Sequence, residues 1–171
     1  MKLSINEKEK LENIYQTFLN DERILKMKEI PMHRGSNCYE HSFKVAKRAI
    51  RNSLRLFRKN IDLEVVLIGA ILHDYYLYDW RSDRSLRKGH AKNHERIASE
   101  NASRDFDIPM EIKKVIESHM WPFNIKCFPN TREARIVSLA DKSVASLEAF
   151  TSKKYKKKKR EKYLKFISSL F

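Results

Sequence analysis

The chain predicts an all-α fold, a single-domain helical bundle of 171 residues. Three observations carry that expectation. Apolar residues recur at intervals of three and four along most of the sequence, the period of a helix face rather than of a strand. Only three Gly and four Pro interrupt the chain, so the periodic segments run long. The one stretch that also reads as a strand, Leu63–Leu72, has no second convincing strand to pair with. A chain of this length forms one domain with a core large enough to stand alone. No repeat and no long linker divides it, so residues 1–171 are read as one unit.

The first element with a clear pattern is Ser36–Arg58. Tyr39, Phe43, Ala46, Ile50, Leu54 and Phe57 form its apolar stripe, which Val45, Ala49 and Leu56 widen, as in a central helix with neighbours on two sides. Lys44, Lys47, Arg48, Arg51, Arg55 and Arg58 hold the opposite side, and His41 lies on the border. Leu63–Leu72 is apolar all round, which predicts a buried helix. Tyr75–Gly89, rich in charge, is read as a loop. A helix from about His90 to Phe106 follows, with His90, His94, Ile97 and Asn101 on one face. Pro109 opens a helix over Met110–Met120, where Ile112, Val115, Ile116 and His119 share a stripe, and Trp121-Pro122 stops it. Asn130 and Glu133 have capping-box spacing ahead of a helix that runs to about Phe150. Tyr163, Phe166, Ile167 and Leu170 predict a last amphipathic helix over about 153–171.

The formal charge is +14. Lys153–Lys165 holds nine Lys or Arg against one Glu, a net of +8, which leaves +6 for the rest. A basic surface attracts phosphate-bearing partners. The tail reads equally as a solvated face or as a contact for nucleic acid. Cys38 and Cys127 form no CxxC pattern and are expected to be buried thiols in a reducing cytosol rather than a disulfide. No signal-like stretch opens the sequence and no run reaches membrane-spanning length, so a cytoplasmic protein without a membrane span is expected.

The most informative pair is His73-Asp74, which closes the apolar run Val65–Leu72. A carboxylate at the edge of a core is costly unless it is paired or bound to a cation. One such pair would be explained by a buried hydrogen bond. His41, His94, His119 and Asp141 stand in similarly apolar settings, however, and six nitrogen and oxygen donors in a helical core suit a divalent metal. Asp141 makes the sharpest case: Val137, Val144 and Ala145 flank it at helical spacing, so it projects from the middle of an apolar face. His119 alone would serve as a helix C-cap, and His33 is the least constrained histidine. His90 and His94, one turn apart, can share a metal or form a wet face.

These residues carry a resemblance. Tyr39-Glu40-His41-Ser42, Ile71-Leu72-His73-Asp74, His94, His119 and Leu139-Ala140-Asp141-Lys142, in that order, resemble the HD-domain superfamily of metal-dependent phosphohydrolases over about residues 31–150. Tyr78-Asp79-Trp80 and His119-Met120-Trp121-Pro122 further resemble a subgroup of small bacterial HD proteins. The resemblance implies that His41, His73, Asp74 and Asp141 hold one metal. It implies that His94 and His119 serve a second, with Asp74 bridging, and that His73 and Asp74 are central to catalysis. Tyr75-Tyr76 stands where the cyclic-dinucleotide branch has Ile-Gly, Met120 stands where a second His often follows, and the Glu-Asp doublet of the alarmone hydrolases is absent.

The function implied is hydrolysis of a small phosphorylated substrate, a nucleotide-like phosphoester or phosphoanhydride, by metal-activated water. One or two of iron, manganese, nickel, cobalt or zinc suit the donor set. His90, Arg81, Arg84 and Lys142 are candidates for supporting or substrate contacts; on a helical wheel Lys142 points away from the apolar face and reads better as a surface lysine. Two other classes share these residues: a di-iron oxygenase on the same fold, and a nucleic-acid-binding module whose metal is structural. Against the second, the tail lacks the aromatic interleaving of a base-stacking surface.

Overall fold

Helix α4 (Leu63–Leu72) is the axis around which the other helices pack, as its all-round apolar sequence requires. Val66, Leu67, Ala70, Ile71 and Leu72 are all buried. Each of the Val, Leu and Ile side chains contributes about 1.5–3 kcal/mol when fully withdrawn from water. The computed structural model describes residues 3–32, 35–56, 60–82 and 84–150. Among them the element order is α1 (Ile5–Asn20), α2 (Glu22–Leu25), a 3-10 turn (Lys26–Glu29), α3 (Cys38–Leu56), α4, α5 (Arg84–Phe106), α6 (Met110–Ser118) and α7 (Arg132–Phe150). An isolated bridge joins Pro31 and Asn37, and no strand occurs among the described residues. The fold is all-α. No described helix is long and apolar enough to cross a membrane.

Helix α3 packs on α4 and α7, and α6 on α4, α5 and α7. The α4–α6 approach depends on Gly69, where a Cβ would sit 2.7 Å from Val115 Cγ1. Helix α1, ahead of the predicted 31–150 unit, starts with a capping box between Ser4 and Glu7 and buries Leu11 and Tyr15. Arg23 ties this region to the end of α5, lying 4.1 Å over the Phe106 ring and donating to the Asp105 carbonyl.

Several predicted boundaries move. Helix α5 starts at Arg84, six residues before His90, so the loop after the His-Asp doublet is shorter than predicted. Its first turns are exposed, and a solvated helical turn needs no apolar face to announce it. Helix α6 ends at Ser118 instead of Met120. Leu56, the final residue of α3, is 68% exposed and does not widen the buried face. The capping box around Asn130 does not form. The helix starts one residue later, and Thr131 Oγ1 accepts the Ala134 N–H. Glu133 then reaches across to accept the Asp62 N–H at the start of α4, which ties the two helices together. Cys38 and Cys127 are free thiols; Cys38 is buried as expected, whereas Cys127 is only half-buried. His33, Phe57, Arg58 and the predicted helix over 153–171 lie outside the described residues.

Candidate metal centre

The site begins where α4 ends. His73 takes the C-cap position, and its Nδ1–H donates to the Ala70 carbonyl at 2.8 Å. The chain then turns sharply, with Tyr75 N–H donating to Leu72 O and Tyr76 N–H to Asp74 O. Two side chains pin this turn. Cys38 Sγ donates to Asp74 O at 3.1 Å, and Asn101 Nδ2 donates to both Tyr75 O and Tyr76 O. Asn101 shares the α5 face that carries His94, so one helix supplies both a site residue and a fastener for the doublet.

Four histidines and two aspartates converge there, and all six are buried. Asp74 Oδ1 lies 3.6 Å from both His94 Nε2 and His119 Nε2. Asp74 Oδ2 lies 3.3 Å from His73 Nε2 and 3.9 Å from His41 Nε2. Asp141 Oδ1, from α7, lies 3.0 Å from His41 Nε2 and 3.7 Å from His73 Nε2. The two oxygens of Asp74 therefore face two different pairs of imidazoles. Three overlapping groups have the spacing of a metal site: His41 with His73 and Asp74, His73 with His119 and Asp141, and Asp74 with His94 and His119.

The orientation of the rings tests whether a cation fits. Each Nδ1 faces an outer oxygen: His73 on Ala70 O, His94 on His90 O, His119 on Ile116 O, and His41 on Glu148 Oε2. The outer nitrogen is thus the donor, and Nε2 of a neutral ring turns its lone pair inward. His94 Nε2 and His119 Nε2 are 3.1 Å apart, close enough for two lone pairs to repel unless a cation sits against both. Two nitrogens bound at roughly 2.0–2.1 Å to one metal stand about 2.9–3.4 Å apart between square and tetrahedral angles. The spacing fits. His73 Nε2 is buried and faces Asp74 Oδ2 at 3.3 Å without well-formed hydrogen-bond geometry, a further inward-facing nitrogen.

Protons on the histidines stand in for cation charge. Burial opposes charge on His41, but hydrogen bonds to Asp141 and Glu148 outweigh it and raise its pKa to about 9. Burial likewise opposes charge on His73, yet Asp74 and Asp141 raise it to about 10. His119 goes the other way, lowered to about 3 by burial and by its neighbour His73. Asp74 and Asp141 stay ionised: burial would raise both, but the imidazoles around them hold them below the usual carboxylate range. Two ionised aspartates are thus balanced by two protonated imidazoles, and these buried His and Asp groups could hold a divalent metal in place of the protons.

The remaining predicted residues fall around this core. His90 donates no ring atom to the cluster. Its carbonyl holds the His94 ring, while its own ring stacks between Trp80 and His94 and its Nδ1 bonds the Tyr78 hydroxyl. Arg81 is occupied elsewhere, donating to Met32 O and lying 4.9 Å from the Trp80 ring. Arg84 is exposed in the first turn of α5. Lys142 is not the plain surface lysine that its helical angle predicts. Its long stem bends back so that Nζ lies 2.9 Å from Asp141 Oδ2, donates to His119 O, and sits 5.7 Å from the exposed Phe123 ring.

Two residues escaped the sequence reading. Glu148 is buried, with Oε2 2.9 Å from His41 Nδ1 and Oε1 2.6 Å from Lys44 Nζ. Its signal was present: it follows Asp141 by seven residues, two turns along the same face. Glu95 is also buried. Its Oε1 accepts from Asn124 Nδ2 at 2.6 Å, and its Oε2 lies 3.6 Å from His94 Nδ1. It ties the segment after α6 to α5 beside His94, a long-range contact with no local sequence signature.

The family model for the HD domain matches residues 38–146, which include every residue of the cluster. No curated protein and no solved structure matches the chain.

Proposed function

From the premise that the chain belongs to the HD-domain family, a superfamily of metal-dependent hydrolases, we propose that it is a phosphohydrolase acting on a nucleotide-like phosphoester or phosphoanhydride. The observation that carries the reading is the division of the Asp74 carboxylate, with one oxygen facing His94 and His119 and the other facing His73 and His41. In this reading His41, His73, Asp74 and Asp141 hold one metal. His94 and His119 would hold a second, with Asp74 shared between the two positions. Manganese, iron, cobalt, nickel and zinc all suit imidazole with carboxylate.

When bound, such metals would lower the pKa of water so that hydroxide is available as nucleophile near neutral pH, and would offset charge on the phosphoryl oxygens. The chain does the rest. The carbonyls of Ala70, His90 and Ile116 and the Glu148 carboxylate fix the four imidazole rings before substrate arrives, so no reorganisation is needed at the moment of reaction. Lys142, partly exposed beside Asp141, is placed to meet an anionic group entering the pocket. Outside the basic segment the chain still carries +6, which favours an anionic substrate.

The test is metal analysis of protein purified without chelator. Turnover of nucleotides, dinucleoside polyphosphates and simple phosphodiesters is then measured with each metal in turn. Metal-dependent cleavage that Asp74→Ala abolishes is expected. A fully metallated protein that cleaves none of these, or an Asp74→Ala variant as fast as wild type, overturns the reading.

A further inference from the structure

The four clustered histidines are not held alike. His73, His94 and His119 each donate Nδ1–H to a backbone carbonyl, whereas His41 donates to a carboxylate, Glu148 Oε2, at 2.9 Å. Glu148 is only 5% exposed, so this is a charge deliberately withdrawn from water. Its other oxygen is met by Lys44 Nζ at 2.6 Å, which offsets part of the cost of burial. Glu148 and Asp141 stand two turns apart on α7, and the His41 ring from α3 lies between them, one carboxylate on each nitrogen.

A carboxylate behind an imidazole does two things that a carbonyl does less well. It fixes the tautomer and ring plane with a charge-assisted bond, and it increases electron density on the far nitrogen. The far nitrogen here is Nε2, aimed at Asp141 and Asp74. Among the described residues the His94–His119 side has no equivalent: both rings rest on neutral carbonyls, and Glu95 Oε2 stands off at 3.6 Å from His94 Nδ1. The two halves of the site therefore differ in donor strength.

We propose that Glu148 is a positioning residue that fixes His41 and makes the His41–His73–Asp74–Asp141 position the tighter of two unequal metal positions. The proposal rests on the metal reading of the cluster. It predicts sequential filling, His41 side first. A purely structural role, locking α3 to α7, would be carried as much by the Lys44–Glu148 ion pair as by the His41 contact, and the two roles separate on that point.

The experiment titrates metal-free wild type, Glu148→Gln, Glu148→Asp and Lys44→Met with cobalt(II) against a competing chelator, following the visible absorption of bound cobalt. Thermal melting is recorded on each metal-free protein. Glu148→Gln keeps the shape and an acceptor oxygen but loses the charge. It should weaken the tighter cobalt position roughly 10–100-fold and leave the weaker one unchanged. Glu148→Asp, with the charge restored on a shorter arm, should recover part of that loss, and Lys44→Met should leave the tight affinity unchanged even where it lowers the melting temperature. Unchanged tight binding in Glu148→Gln overturns the proposal, as does an equal loss in Lys44→Met. Wild type that takes up no metal overturns the metal reading itself, which separates the two failures.

Discussion

His94 and His119 face each other through Nε2 at 3.1 Å, while each ring's Nδ1 is engaged by a carbonyl one helical turn or less behind it. Two rings so arranged cannot satisfy one another, because neither inner nitrogen of the neutral pair has a proton to give. They come from different helices, α5 and the end of α6, so the apposition is a product of packing rather than of local chain geometry.

The first prediction concerns this pair. Replacing His119 with Asn should remove one donor and leave the His41 side of the cluster intact. Metal content, counted by elemental analysis after saturation and desalting, is expected to fall from two ions per chain to one. Stoichiometry that stays unchanged would show that His119 holds no metal.

A second prediction follows from the protonated histidines of the metal-free pocket. His41 and His73 have folded pKa values raised to about 9 and about 10 from an ordinary 6.5. The stability they add is fully present below about pH 6.5 and is lost as pH rises through 9 to 10. His119 and His90 are lowered to about 3 and about 4, mainly by burial, so their effect has the opposite sense: stability falls as pH drops below 6.5. Asp74 and Asp141, held below the carboxylate range, add stability above about pH 4 that is lost in acid. The melting temperature of metal-free protein should therefore peak near pH 6–7 and decline on both sides. Saturating manganese should flatten the alkaline arm, because metal and protons compete for the same nitrogens. An alkaline arm that is equally steep with and without metal would contradict the assignment.

Gly69 carries a third prediction. A methyl group there meets Val115 at 2.7 Å, and α4 must then move from α6. Gly69→Ala should destabilise the protein by about 1–3 kcal/mol in denaturant titration. Because α4 ends in His73-Asp74 and α6 leads into His119, metal affinity should fall with it. Gly69→Ala with wild-type stability would show that the interface yields more easily than this contact implies.

Lys142 gives the fourth. Its ammonium lies beside Asp141 and is part exposed, so it can meet substrate without holding metal. Lys142→Met should leave metal content unchanged and raise KM for phosphate-bearing substrates. If kcat/KM is unaltered, Lys142 serves only to stabilise the loop it touches through His119 O.

The sequence by itself determined the fold class and brought six metal-site candidates to notice. Periodicity decides which face of its own helix a residue occupies, and His73, Asp74 and Asp141 each stand on a face too apolar for their charge. The same logic placed Asn101 beside His94 on α5, where it fastens the turn after Asp74. Helix ends were less legible, because the exposed turns of Arg84–Lys88 carry no apolar stripe.

The tertiary structure alone decided how these residues act on one another. Helical spacing says nothing of the distance between α3 and α7, so the use of Glu148 to hold His41 across 107 residues of chain had no sequence signature beyond its place on the Asp141 face. Lys142 departs from its helical angle for a related reason: a wheel projects the Cα direction, while a flexible four-carbon stem lets the ammonium bend back to Asp141. Which nitrogen of each ring points inward was likewise set by the carbonyl or carboxylate that packing placed behind it. That choice turns four buried histidines into inward-facing donors.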